Sequence, residues 1–190
     1  MTPGRLSKTQ WRGAMRRRLA ELDPTATRAA AVAVADRVMA LPVVAHSSVA
    51  LCCLSFGHEF ETRPLIDRLL AAGHQVCLPR CVEGTHTLTV HPFPCPLEKL
   101  PFGLEQPVAG CGELAADQVE VALLVGLAFD TRGFRLGHGG GYFDRFLAAH
   151  TIPAVGLAYD FQILDRLPAL QHDIAMNAVI TESRHLRAGR

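Results

Sequence analysis

The chain has 190 residues, 49% of them hydrophobic and 19% charged, with a formal net charge of +1. That is enough apolar chain for one domain with a real core, and it excludes a wholly disordered polypeptide. Near-neutrality argues against a dedicated nucleic-acid binder, and no apolar run approaches the roughly 18 residues of a membrane span.

In chain order, the basic start is not followed by an apolar run and a small-residue cleavage site, so no secretory signal is expected. Ser7 to Leu22 reads as a helix, with Ser7 as its cap and Pro24 just beyond its end. Trp11, Met15, Leu19 and Leu22 follow helical spacing and make one apolar stripe. Asp23-Pro24 opens a second, alanine-rich helix running to about Met39. Ser48 to Leu54 is a short strand, and Thr62, with Pro64 behind it, caps a third helix that ends near Gly73. Gln75 to Leu78 and Thr87 to Val90 are further strands, followed by a long Pro- and Gly-rich loop over 92–113. Val119 to Val125 is the strongest strand, apolar enough to be buried on both faces. A glycine-rich turn leads from it to a helix over Gly141 to Ala149. Ala154 to Ala158 and Ala178 to Thr181 are the last strands, and 184–190 is expected to be a frayed tail. Strands alternating with helices predict a single α/β domain over 1–190, with a mostly parallel sheet that binds ligands outside the carboxyl ends of its strands.

The segment from Gly126 to Arg145 carries the chemistry. Gly137, Gly139, Gly140 and Gly141 fall within five positions, so the backbone can approach a ligand closely and aim its N–H groups at phosphate ahead of a helix N-terminus. Arg135 offers a fork of donors for phosphate oxygens, and Asp144 is a hard oxygen ligand suited to magnesium. No GK[ST] follows, so this is not a Walker A loop, and it is not a clean GxGxxG fingerprint. Glycines alone leave a tight strand-to-helix turn as open as a phosphate site. Arg135 and Asp144 favour the latter.

The remaining features each have a plain reading beside a functional one. Lys8, Arg12 and Arg16 lie one turn apart, flanking the apolar stripe of the first helix; they suit either a solvated face, a weak RNA patch or reach toward a site. Glu61 precedes a helix cap, where it favours the dipole or accepts a hydrogen bond from substrate. Phe56 is core or pocket rim, and His138, set between glycines, is assigned no acid/base role. The six cysteines lack CxxC spacing and read as reduced, structural residues, while the nine histidines show no metal-site spacing.

Gly-Leu-Ala-Phe-Asp130, followed by Arg135-Leu-Gly-x-Gly-Gly-Gly-Tyr-Phe-Asp144-Arg145, resembles the signature of the 5-formyltetrahydrofolate cyclo-ligases. Lys8-x-x-x-Arg12, Glu61-Thr62, Leu78-Pro79-Arg80 and His172-Asp173 fall in that family's order, so the resemblance spans nearly the whole chain. It implies a three-layer, Rossmann-like and CoA-transferase-like sheet flanked by helices. It also implies ATP- and magnesium-dependent closure of 5-formyltetrahydrofolate to 5,10-methenyltetrahydrofolate. By the same resemblance ATP is bound by Lys8, Arg12, Arg135, Leu136, Gly137, His138, Gly139, Gly140, Gly141, Tyr142 and Phe143, with Arg135 and Tyr142 positioning the reactants. Folate is expected at Phe56, Glu61 and His138 to Tyr142, and magnesium at Asp144 and Asp173. A cytoplasmic monomer with no nucleic-acid or membrane partner is expected. Three positions depart from the family pattern: Phe143 for a second tyrosine, Val125 for a proline, and Asn177 for an acid beside the expected metal site.

Overall fold

The computed structural model describes residues 6–187. Helix α1 (Lys8–Ala20) opens on a capping box, in which the Ser7 hydroxyl accepts from Gln10 N and the Gln10 side chain accepts from Ser7 N. Met15 and Leu19 of its stripe are buried. Asp23 caps α2 (Pro24–Met39), and a one-turn helix, α3 (Pro42–Ala45), which the sequence did not announce, leads into β1 (Val49–Cys52). Thr62 stands at the N-cap of α4 (Arg63–Ala71), but its hydroxyl does not cap the helix. It accepts instead from Ser55 N at 3.1 Å, while Ser55 Oγ accepts from Thr62 N, so the loop after β1 is pinned to the start of α4.

Strands β2 (Gln75–Cys81) and β3 (Leu88–Phe93) form an antiparallel hairpin. The stretch expected to be a long loop contains a second, smaller hairpin, β4 (Leu97–Lys99) with β5 (Glu105–Pro107), and then a 3₁₀ turn at Ala116–Gln118. Fully buried β6 (Val121–Val125) leads into two short strands, β7 (Ala128–Asp130) and β8 (Arg135–Leu136). After α5 (Tyr142–Ala149) come β9 (Ala154–Leu157), β10 (Ile163–Leu164), β11 (Ala178–Ile180) and β12 (His185–Arg187). The expected frayed tail is corrected over these last three residues: β12 pairs antiparallel with β11 as an edge strand, and 188–190 lie outside the described residues.

The central sheet runs β12-β11-β9-β6-β1-β2-β3. Its five inner strands are mutually parallel and both edges are antiparallel. From β1 the chain crosses through α4 to β2 on one side, then returns to β6 and crosses through α5 to β9 on the other. Right-handed crossovers in opposite directions put α4 and α5 on opposite faces of the sheet. A mostly parallel sheet flanked by helices is the architecture the alternating pattern predicts. The reversal of strand order between β1 and β6 opens a crevice at their carboxyl ends, the place where open α/β sheets bind ligands.

Candidate active site

A cleft of about 500 Å³ lies at that switch point, a size suited to a small-molecule ligand. Its floor comes from the ends of β1 and β6, through Cys53, Leu54 and Val125, and its wall from the glycine turn. Three features shape this turn. Gly126 and the β7–β8 hairpin bring Arg135 back against Val125, whose carbonyl accepts from Arg135 Nη1 at 3.4 Å. Gly141 caps α5 at φ +68°, a left-handed conformation that glycine adopts freely. A Cβ on Gly140 would stand 2.7 Å from the Tyr142 ring, so only glycine lets the backbone pass beneath that tyrosine. The Gly140 carbonyl accepts from Arg145 Nη1 and faces His86 Nδ1, each at 3.0 Å, which fixes the turn ahead of the unpaired N–H groups of α5.

Cations converge on this turn. The Arg135 side chain is only 7% exposed, lies over the Phe143 ring at 5.2 Å and sits 3.5 Å from Asp144 Oδ2. Phe143 therefore supplies the aromatic face that a tyrosine would. Arg135 Nε is buried without a hydrogen-bond partner among the described residues. Of the three flanking cations of α1, Lys8 and Arg12 line the cleft, while Arg16 stays exposed and touches only its His138 edge. Lys8 Nζ bonds both Asp173 oxygens, at 2.7 and 2.5 Å. Arg12 Nε donates to the Gly137 carbonyl at 2.9 Å, and Arg16 reaches His138 Nδ1 at 3.4 Å.

Two carboxylates face the cleft beside these cations. Asp144, in the first turn of α5, accepts from Ile174 N at 3.1 Å, which brings it next to Asp173. Burial alone would raise the Asp173 pKa, but Lys8 and the Leu170 N–H outweigh it and hold the carboxyl below its usual range. Magnesium characteristically takes one or two protein carboxylates and completes its shell with phosphate oxygens and water. Asp144 and Asp173 fit that requirement, and no cluster of three or more His, Cys, Asp or Glu side chains suited to a metal occurs among the described residues.

The far end of the cleft is apolar and aromatic. Phe56 packs against the His138 ring at 5.0 Å and against Phe102 at 5.8 Å, and Phe102 is 64% exposed at the rim. His138 Nε2 lies 2.5 Å from Glu59 Oε1; donation there and acceptance at Nδ1 from Arg16 correspond to the Nε2–H tautomer. Glu61 needs correction. It does not line the cleft; its carboxylate pairs with Arg28 at 2.8 Å on the outside. The acid that faces the cleft is Glu59, two residues earlier, its side chain 6% exposed and also accepting from Phe56 N. Both acids lie in the loop before α4, and the sequence holds no signal that says which one turns inward. Asn177 lies apart from the cleft as well: its Oδ1 accepts from Ala154 N at 2.8 Å, a bond that ties the start of β11 to β9. Lys8, Arg12, Phe56, Asp173 and all residues from Arg135 through Asp144 line the cleft together, as does His172.

Comparison with known proteins identifies the family and the fold. The 5-formyltetrahydrofolate cyclo-ligase of Escherichia coli (strain K12) is 31% identical over 186 residues, covering 90% of this chain and 97% of its own. That of Mycolicibacterium smegmatis is 34% identical over 143 residues, covering 70% and 73%. The NMR structure of Aquifex aeolicus 5,10-methenyltetrahydrofolate synthetase superposes with a TM-score of 0.80 at 29% identity, covering 96% of this chain and 94% of that one. A Mycoplasma pneumoniae 5,10-methenyltetrahydrofolate synthetase, at 18% identity and a TM-score of 0.76, shares the fold. The profile of the 5-formyltetrahydrofolate cyclo-ligase family matches residues 5–182, and the chain belongs to that family.

Proposed function

We propose that the protein converts 5-formyltetrahydrofolate and ATP to 5,10-methenyltetrahydrofolate, ADP and phosphate, with magnesium as the metal. The observation that carries this reading is the convergence of Arg135, the glycine turn, the α5 N-terminus and two carboxylates in one cleft with an aromatic far end. The phosphates lie along the glycine N–H groups, with Arg135, Lys8 and Arg12 around them and Tyr142 covering the turn. Asp144 and Asp173 would hold the magnesium, whose charge would offset that of the phosphates. The folate lies toward Phe56, His138 and Glu59, where rings stack and a shielded carboxylate accepts hydrogen bonds.

The chemistry requires no protein nucleophile. The N5-formyl group is an amide, so its carbon is a poor electrophile and its oxygen a poor leaving group. The formyl oxygen attacks the γ-phosphorus and ADP leaves, which converts that oxygen to a phosphate ester on an iminium carbon. The N10 lone pair then adds to this carbon, N10 loses its proton, and phosphate departs with the C–O electrons. Charge is spread over the transferring group throughout, so the protein's contribution is alignment and cationic stabilisation. The cations, backbone N–H groups and carboxylates lining the cleft are the groups such a reaction needs. ADP release in the presence of 5-formyltetrahydrofolate tests the metal requirement: turnover is expected to stop in excess chelator and return with magnesium, and full turnover in chelator would contradict it.

A further inference from the structure

We infer that Cys95 and Cys111 form a dithiol site that oxidises to a disulfide and staples the base of the β4–β5 hairpin, whose tip rims the cleft. Cys95 stands two residues before β4, and Cys111 follows β5 after a short turn. Cross-strand pairing of Leu97 with Pro107 extends beyond the hairpin, because Val108 N donates to the Pro96 carbonyl at 3.0 Å. Cys111 N then donates to Val108 O at 3.3 Å, which folds the chain back so that the Cys111 thiol donates to the same Pro96 carbonyl at 3.7 Å. This sets the Cys111 thiol against the carbonyl of the residue that follows Cys95, and the two thiols lie near enough to interact. Both are partly exposed, whereas Cys52, Cys53 and Cys77 are buried.

A low-molecular-weight disulfide supplies the oxidant. Burial and the adjacent Cys111 raise the Cys95 pKa, which disfavours Cys95 as the first attacking sulfur. The Cys111 thiolate attacks one sulfur of the small disulfide, forming a mixed disulfide, and the displaced thiolate takes up a proton. Cys95, on losing its proton, attacks Cys111 Sγ and releases the second small thiol. Two protein thiols are thereby oxidised, and one small disulfide is reduced to two thiols.

The bridge would close the segment 96–110 at its base. That segment supplies Phe102, Leu104 and Glu105 to the cleft, and it rests on β2 through Arg80, which pairs with Glu98 and donates to the Pro107 carbonyl at 2.5 Å. Oxidation therefore restrains the rim without touching the phosphate-binding end, and the inference does not depend on which substrate the cleft takes.

The test uses the whole folded protein. It is incubated with a molar excess of oxidised glutathione, quenched with an alkylating reagent and mapped by mass spectrometry, with amide hydrogen exchange followed in parallel. The expected product is a single intramolecular bridge between Cys95 and Cys111, reversed by dithiothreitol, with slower exchange across residues 97–107 than in the reduced protein. In Cys95→Ser, Cys111 should stop at the mixed disulfide with no added protection. A stable mixed disulfide in the unsubstituted protein, bridging through Cys81, or a bridge that leaves hairpin exchange unchanged would overturn the proposal.

Discussion

Single side chains decide what the cleft can hold. Arg135 is buried, lies over the Phe143 ring and sits 3.5 Å from Asp144, so its charge is fixed at the wall of the cleft. Lys8 comes from the other end of the chain, yet its ammonium sits on Asp173 in the same cleft. A charged hydrogen bond of this kind is worth roughly 1.5–3 kcal/mol, so Lys8→Ala and Arg135→Ala should each weaken ATP use by about ten- to a hundred-fold. Folate binding should change less, and the double variant should lose less than the sum because both groups serve one nucleotide. Steady-state kinetics of the three variants measure this; ordinary ATP kinetics in Lys8→Ala would remove α1 from the site. The two loop acids give a second contrast. Glu59→Gln should raise KM for the folate several-fold, since this carboxylate faces the cleft and orients both Phe56 and His138, whereas Glu61→Gln should lose only a surface pair with Arg28 and leave KM near its original value. Equal effects at the two positions would refute the assignment of the inward acid.

Among the elements, β9 is packed more tightly than its sequence suggests. A Cβ at Gly156 would stand 2.5 Å from the ring of Phe129, which is fully buried in β7, and Phe129 pairs directly with Arg135 of β8. Gly156→Ala should therefore cost about 1–3 kcal/mol by overpacking. Thermal melts should show a fall of roughly 2–4 °C per kcal/mol. Activity at low temperature should fall too if the displaced ring disturbs Arg135; an unchanged melt would mean the ring has room to move. The contrast between Gly156 and the glycine turn also shows where sequence reading reached its limit. The long elements and the parallel core were legible because α1, α2 and β6 carry periodic or continuous apolar patterns and standard caps. The β4–β5 hairpin was not, because each strand is three residues long, one contains Pro107, and both are held by Arg80 and Gln106 rather than by their own apolar pattern. Strands β7, β8 and β10 lie hidden because each has only two or three residues, and β10 is specified by a pairing with β7 that is distant in sequence. Most of the site was legible through the glycine turn, since its residues are contiguous. Glu59 was not, because backbone direction in the loop pinned by Ser55 and Thr62 decides which acid faces inward.

For the molecule as a whole, topology places the chemistry. The reversal of strand order between β1 and β6 leaves the only break in the series of crossovers among the described strands, and the glycine turn leaves β6 directly into that break. The opening helix then brings Lys8 and Arg12 across it, and the segment around Asp173 closes the remaining side. Chain segments from both ends of the sequence thus line one cleft, and the family match likewise covers nearly the full length. The proposed reaction couples ATP cleavage to ring closure on a folate within this cleft. Mixing the protein with 5-formyltetrahydrofolate, ATP and magnesium, and following the absorbance of the methenyl product together with ADP, tests it most directly. Product and ADP should form in equal amounts, with neither formed when ATP or the folate is withheld; ADP released without methenyl product, or methenyl product formed without ATP, would contradict this coupling.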